Sequence, residues 1–258
     1  MAIKLSIIIL AGNEERIISN CLKSCNFADE IVLVAANSND NTKKIAQSAS
    51  RRIKIIETND EYNKHFSKWR NLGLKNATGD WILYIDADEQ ITPKLKEEIL
   101  IVINNSQHPY YVIPRANYFL GKRVKHGGTY PDYVKRLFDK NHFKGYSGIL
   151  HEEPIITGTL GYLKNDLLHF THRDLNSMLQ KTMVWTQMES EALYKSNHPK
   201  IVPWRIVRMF FTKLWERLIK QQMYLDGTVG WVSSIFEAFD TFIIYAKLWE
   251  LQQKTNEK

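Results

Sequence analysis

The sequence predicts an α/β chain: a doubly wound, mostly parallel sheet closed by a C-terminal helical extension. Three observations predict it. Over the first hundred residues, short apolar, β-branched runs alternate with segments whose apolar residues recur at helical spacing. Between 108 and 170 the runs become short, aromatic and β-branched, split by Gly, Pro and Asn. From Asp174 onward the pattern is helical.

The elements follow in order. Lys4–Leu10 reads as a buried strand, and Asn13-Glu14-Glu15 as a helix cap before Ile17, Ile18, Cys21, Leu22 and Cys25. Glu30–Ala36 is a second buried strand, and the polar turn Ser38–Thr42 leads into a helix through Ala49. Arg52–Glu57 is a third strand, 64–77 a helix closing at Gly79, and Trp81–Ile85 a fourth strand. Pro93 then opens a helix at the position proline favours. Tyr110–Pro114, Tyr133–Phe138, Ile149–Ile156 and Leu163–Phe170 read as short strands walling a cleft. The helical end breaks at Asn197–Pro203 and Asp226–Gly230. Three parts are expected: 1–105, an α/β half; 106–173, strands and loops; and 174–258, the helical extension.

Composition narrows the function classes. With 44% hydrophobic and 24% charged residues among 258, the chain is neither low-complexity nor a small disulfide scaffold. Cys21 and Cys25, four apart, fit packing on one helix face and a reducing, cytosolic setting. No secretory leader is expected after Lys4, and no run of 18 uncharged apolar residues exists; Val229–Leu251 is broken by Glu237, Asp240, Lys247 and Glu250. Residues 1–100 carry 14 basic and 14 acidic side chains, whereas 101–258 carry 21 and 14. The excess gathers in 115–144 (eight basic, two acidic) and 195–220 (seven and one), pointing to an anionic partner. Nucleic acid is excluded as that partner, because no helix-turn-helix, RNP signature or zinc finger accompanies the charge.

The strongest chemical feature is Asp86-Ala87-Asp88-Glu89, where the fourth strand ends. Open α/β sheets bind ligands beyond the carboxyl ends of their strands. Two close carboxylates there repel unless a cation lies between them, and oxygen ligands suit Mg²⁺ or Mn²⁺ shared with phosphates. The chemistry this suggests is charge neutralisation on a departing diphosphate.

Several motifs recur in order: Leu5-Ser-Ile-Ile-Ile, Asn13-Glu14-Glu15, Cys21-Leu22-x-Ser24, Asp29-Glu30-Ile31-Val32, Ser38-x-Asp40-x-Thr42, Arg70-Asn71 and Gly79 through Glu89. Gly127-Gly128-x-Tyr130-Pro131, Arg136-Leu137-Phe138, His151-Glu152 and Leu225-Asp226-Gly227 continue the series. Together they resemble the family 2 glycosyltransferases of the GT-A fold, nearest the bacterial enzymes similar to lipopolysaccharide core β-1,4-glucosyltransferase. The resemblance implies inverting transfer from a nucleotide-sugar, a UDP-sugar first among donors, to a hydroxyl of a glycan or glycolipid. It implies Asp88 as main metal ligand, with Asp86 on the metal or the donor ribose and sharing in catalysis. Asn13, Glu14 and Arg70 would lie near the donor nucleotide. Glu152 would be the base that takes the acceptor's proton. Glu153 is the fallback, facing the other way in a strand. Arg136 and His151 would hold the acceptor or a phosphate, Arg136 having a structural ion pair as its equal alternative. His169 and His172 flank the expected cleft and read as hydrogen-bonded structural residues, the alternative being the late histidine that completes a metal site in some GT-A enzymes.

One departure bears on the donor. The second strand of the family usually ends in an aspartate that recognises the base, and here Ala35-Ala36-Asn37 stands there, with Gly12 before Asn13. Neither alanine side chain accepts a hydrogen bond. Base recognition then falls to the backbone, to Asn37 or elsewhere, and a weak or inactive scaffold protein is the competing reading.

Trp204–Met223 reads as an amphipathic helix, with Val207, Phe210, Phe211, Leu214 and Leu218 on one face and Arg205, Arg208, Glu216 and Lys220 on the other. Such a helix suits an anionic membrane surface, placing the protein peripherally at the inner face of a bacterial cytoplasmic membrane. Residues 229–251 are expected to form a second interfacial helix or a homo-oligomer contact.

Overall fold

The computed structural model describes residues 3–59, 66–148 and 152–254. They divide into two units, 1–115 with 132–169, and 116–131 with 170–258.

In the first unit, β1 (Leu5–Ala11), β2 (Glu30–Ala36), β3 (Ile53–Thr58) and β4 (Trp81–Asp86) lie parallel in the order β3-β2-β1-β4. A parallel strand covered on both faces has no polar side, so β1 is an unbroken buried run. Its alternation still sorts the two faces. Leu5, Ile7 and Ile9 pack with α1 (Ile18–Cys25), α2 (Thr42–Ala49) and α4 (Pro93–Asn104), whereas Ile8 and Leu10 pack with Trp69 of α3 (Phe66–Asn76). Alpha-3 lies so close to β1 that a Cβ on Gly73 would come within 2.4 Å of the Ile8 side chain. Only glycine allows that approach.

Beyond β4 the sheet turns antiparallel. Beta-8 (Asp132–Asp139) pairs with β4, and β6 (Tyr110–Phe119) pairs with β8. The order then runs through β12 (Leu167–His169) to β5 (Glu89–Ile91), which pair antiparallel. Beta-11 (Leu160–Tyr162) and β7 (Lys122–Arg123) attach to β6, and β9 (Phe143–Ser147) and β10 (Glu153–Ile156) form a separate ribbon. Beta-5, β7, β9 and β11 are not signalled by sequence. The first two are very short, and β9 carries Gly145 at φ +108°. The strand expected at Ile149–Ile156 is seen from Glu153, its start at 149–151 lying outside the described residues.

One local expectation here needs correction. Alpha-1 begins at Ile18 without a side-chain cap, so Asn13 does not start it. Instead the Asn13 carboxamide oxygen accepts the Asn39 N–H at 2.8 Å, and the Thr42 hydroxyl accepts the Glu14 N–H at 2.8 Å. These bonds brace the loop after β1 against the loop after β2. The cap at α4 is as expected for its proline. Thr92 accepts the Leu95 N–H at 3.1 Å and donates to the Asp166 carbonyl at 3.1 Å. Thr92→Ala is expected to lower stability by about 1–2 kcal/mol, read as a smaller urea midpoint at unchanged slope.

The second unit is helical: α5 (Leu175–Lys195), α6 (Pro203–Trp215) and α7 (Thr228–Lys254). An Asp174–Ser177 capping box opens α5, which packs on α7, as does α6. The single helix expected over Trp204–Met223 is instead α6, a π turn at Glu216–Lys220 and a 3₁₀ turn at Met223–Asp226. The widening comes where Gln221 N–H reaches the Glu216 carbonyl at 2.9 Å. Asp226 accepts the Lys125 and His126 N–H groups and the His126 ring, at 2.9–3.0 Å. A Cβ on Gly230 would fall 1.8 Å from the Met223 carbonyl, so the start of α7 also requires glycine. By length and composition α7 is apolar enough to cross a membrane, with a third of its most apolar stretch buried.

Candidate active site

The site grows from the carboxyl ends of the parallel strands. Leu10 of β1 is in register with Asp86 of β4, and Ala11 with Ala35 of β2, so the loops that follow stand side by side. Asp86 closes β4 and is flanked by two arginines. Arg70, from α3, donates to it at 3.3 Å, and Arg136, from β8, makes a very short bond to its other oxygen. Burial alone would raise the Asp86 carboxyl. Arg136 and Arg70 outweigh it and hold the group well below the usual carboxylate range.

Each arginine reaches a second acid. Arg70 Nε donates to Glu152 at 2.8 Å, so one guanidinium links the strand-end aspartate to the residue singled out as base. Arg136 donates to Glu89 at 2.8 Å, and Arg115 joins Glu89 at 3.4 Å and Asp132 at 2.6 Å. Glu89 is wholly buried and also accepts the Asp86 N–H at 2.8 Å. Its burial raises its pKa, with Arg136 opposing and Asp86 adding to the rise. The chain Glu152–Arg70–Asp86–Arg136–Glu89–Arg115–Asp132 thus alternates in charge along its whole length. Arg70, Asp86, Arg115, Arg136, Tyr146 and Glu152 line a cleft of about 440 Å³. Burial pushes the Tyr146 phenol up to about 12, so it stays a neutral donor. Arg70 Nη1 and Arg136 Nε are buried without a hydrogen-bond partner among the described residues. They are donors suited to anionic oxygen.

The sequence-predicted residues separate in space. Arg70, Asp86, Arg136 and Glu152 come together. Asp88 faces His169 instead, Oδ2 to Nε2 at 3.5 Å. Asn13 and Glu14 belong to the loop brace already described. Glu153 is exposed and pairs with Lys135 at 2.8 Å, and both line the same cleft as Glu152. His151 lies outside the described residues. His172 bonds Thr171 at 2.9 Å and packs on Phe119. Cys21 and Cys25 are free and buried on one face of α1, the Cys21 thiol reaching the Asp86 carbonyl at 3.6 Å. Beside the strand ends, Ala35 and Ala36 are buried and Asn37 sits in the left-handed region at φ +50°.

A divalent ion is tested against this donor set. The Asp88 carboxylate and the His169 imidazole suit Mn²⁺ or Mg²⁺ that keeps waters and shares phosphate oxygens. As placed, Asp86 has both oxygens on arginines and does not join them, which differs from its expected part in the metal site. Among the described residues no three His, Cys, Asp or Glu side chains converge to hold an ion by themselves. The residues therefore fit a two-donor site completed by substrate.

Residues 6–170 match the family described as glycosyl transferase family 2. That span covers the whole parallel half and the cleft. The chain belongs to glycosyl transferase family 2. Relatives include an uncharacterised glycosyltransferase of Rickettsia prowazekii, 23% identical over 98% of this chain and 89% of that one. The lipopolysaccharide core biosynthesis glycosyltransferase LpsC of Rhizobium meliloti is 23% identical over 95% and 92%. WfgD of Escherichia coli, named as a UDP-Glc:α-D-GlcNAc-diphosphoundecaprenol β-1,3-glucosyltransferase, is 32% identical over 46% and 50%. A crystal structure of S. aureus TarS superposes with a TM-score of 0.50 at 12% identity, over 93% of this chain and 55% of that one. This glycosyltransferase has the GT-A fold, a mixed sheet with C-terminal helices. The residue that sequence reasoning missed is Glu89. No sequence signal marks it, because the three-residue strand Glu89–Ile91 that buries this acid beside its paired cation is too short to read.

Proposed function

We propose that this family 2 glycosyltransferase transfers a sugar, with inversion, from a nucleotide-sugar to a hydroxyl of a glycan or glycolipid acceptor. We place it in cell-surface polysaccharide or lipopolysaccharide synthesis. The observation that carries the chemistry is the Glu152–Arg70–Asp86 line within one cleft at the strand ends. An inverting transfer is a single displacement: it needs one base on the acceptor and stabilisation of the leaving diphosphate on the opposite side. Glu152 would take the acceptor's proton. Arg70 holds Glu152 in place through Nε, and Arg70 Nη1 and Arg136 Nε would donate to the donor's phosphate oxygens. Asp88 and His169 would hold Mg²⁺ or Mn²⁺, which when bound supplies charge neutralisation for the departing diphosphate. The pathway assignment is supported by the names of LpsC and WfgD.

The reading is tested by calorimetry with UDP-, GDP-, CDP- and ADP-sugars, with and without Mn²⁺, followed by transfer or hydrolysis assays. One nucleotide-sugar is expected to bind only with metal present. Asp88→Asn is expected to weaken Mn²⁺ affinity by about tenfold or more. Absence of binding by every nucleotide-sugar at saturating metal would favour a scaffold, the reading that the apolar Ala35-Ala36 step motivates.

A further inference from the structure

On a helix at a protein surface, the apolar stripe faces the core and water meets the polar one. Alpha-6 carries apolar residues on its outward side as well. None of its residues is buried. Its outward positions are Trp204, Val207, Phe211 and Trp215, continued by Ile219 in the π turn, and the four on α6 are 57–64% exposed. Facing the protein are the half-buried Ile206, Met209, Phe210 and Leu214 and, just beyond α6, the buried Leu218; Arg217 beside it donates to the Gly127 carbonyl, the Gln221 side-chain oxygen and, at 2.6 Å, to Glu237. Phe211, Leu214, Trp215, Leu218 and Ile219 line an open apolar groove of about 590 Å³ with Arg208 at its side. Of the apolar face read from sequence, Val207 and Phe211 are left outside, Phe210 and Leu214 are half-buried and Leu218 is buried.

A contiguous apolar stripe of this kind calls for a covering surface. Charge decides which. Residues 195–220 carry seven basic and one acidic side chain. A two-fold contact between copies would set this positive stretch against itself, a like-charge juxtaposition that opposes docking. An anionic plane satisfies both features. On α6 the stripe from Trp204 to Trp215 runs roughly 17 Å, at about 1.5 Å per residue. Trp rings at both ends of α6, Arg208 stacked at 5.2 Å over Trp204, and the exposed Lys220 suit the headgroup level of a bilayer.

We propose that α6 is a membrane-docking helix that lies in the plane of an anionic lipid surface. Trp204, Val207, Phe211 and Trp215 enter the acyl boundary while Arg208 and Lys220 meet the headgroups. This stands independently of the glycosyl-transfer reading. The test is co-sedimentation of the full chain with phosphatidylcholine vesicles and with vesicles containing about 30% phosphatidylglycerol, at low and high NaCl. Binding is expected only to the anionic vesicles and is expected to weaken as salt screens the contact. The double variants Phe211→Ser/Trp215→Ser and Arg208→Glu/Lys220→Glu are each expected to lower the partition coefficient by about tenfold or more, with unchanged circular-dichroism melting. Equal recovery on neutral and anionic vesicles would overturn the proposal. So would undiminished binding by both variants. A wild-type dimer that ignores vesicles and becomes a monomer in Phe211→Ser/Trp215→Ser would assign the stripe to a second copy instead.

Discussion

Glu152→Gln is expected to lower kcat by about 10²–10⁴ while leaving nucleotide-sugar affinity within about threefold. The amide is nearly isosteric, and its oxygen can still accept the Arg70 Nε–H that Glu152 accepts at 2.8 Å. Arg70 therefore keeps its position against Asp86, and the ground-state cleft is preserved. What disappears is the capacity to take a proton as the new glycosidic bond forms. A loss confined to kcat is the signature of an interaction made only in the transition state. Glu153→Gln is the internal control. Glu153 is exposed on β10 and spends its carboxylate on Lys135, so its variant is expected to stay within about twofold of wild type. Steady-state kinetics with the donor identified by calorimetry would read both. A Glu152→Gln enzyme at full rate, with Glu153→Gln inactive, would move the role one residue along the chain.

The parallel half was legible because its physics is local. A strand buried on both faces must be apolar throughout, and its neighbours announce their own periodicity. Glu30–Ala36 is accordingly read to its correct bounds. The site was legible as residue types and not as partnerships. Asp86 and Asp88 are two apart in sequence and look like one cation site. Beta-4 ends at the first, and the turn through buried Ala87 sends the second toward His169. The cations that neutralise Asp86 come from α3 and β8, 16 and 50 residues away, and no spacing rule links them. Alpha-6 shows a different limit. Periodicity identifies an apolar face without saying what that face meets. The face read from Val207 to Leu218 is split by the structure: Val207 and Phe211 stand exposed with Trp204 and Trp215, Phe210 and Leu214 are half-buried, and Leu218 is buried.

Arg136→Met is expected to cost about 3–5 kcal/mol of folding stability near pH 7, among the largest effects of any single substitution in the first unit. Arg136 is buried and serves two acids at once, Asp86 and the wholly buried Glu89. Methionine fills similar space but leaves the Glu89 charge with the Asp86 N–H and the longer 3.4 Å contact to Arg115. The pH dependence separates this cause from simple packing loss. In the wild type, the depressed Asp86 contributes stability that is full above its unfolded pKa, about 4, and is lost only as pH falls through the lower folded value. Without Arg136, burial dominates at Glu89 and weakens the depression at Asp86. A carboxyl whose folded pKa is raised binds its proton more tightly when folded, so the variant regains stability as pH falls through that raised value. The gap between wild type and variant is therefore expected to be widest at neutral pH and to narrow toward pH 4–5. Adding Glu89→Gln to Arg136→Met removes the stranded charge while still offering an oxygen to the Asp86 N–H, and is expected to recover part of the loss. Urea unfolding of the single and double variants across that range is the measurement. A gap that stays constant with pH, or a double variant less stable than Arg136→Met alone, would show that Arg136 stabilises the fold by filling space and not by its charge.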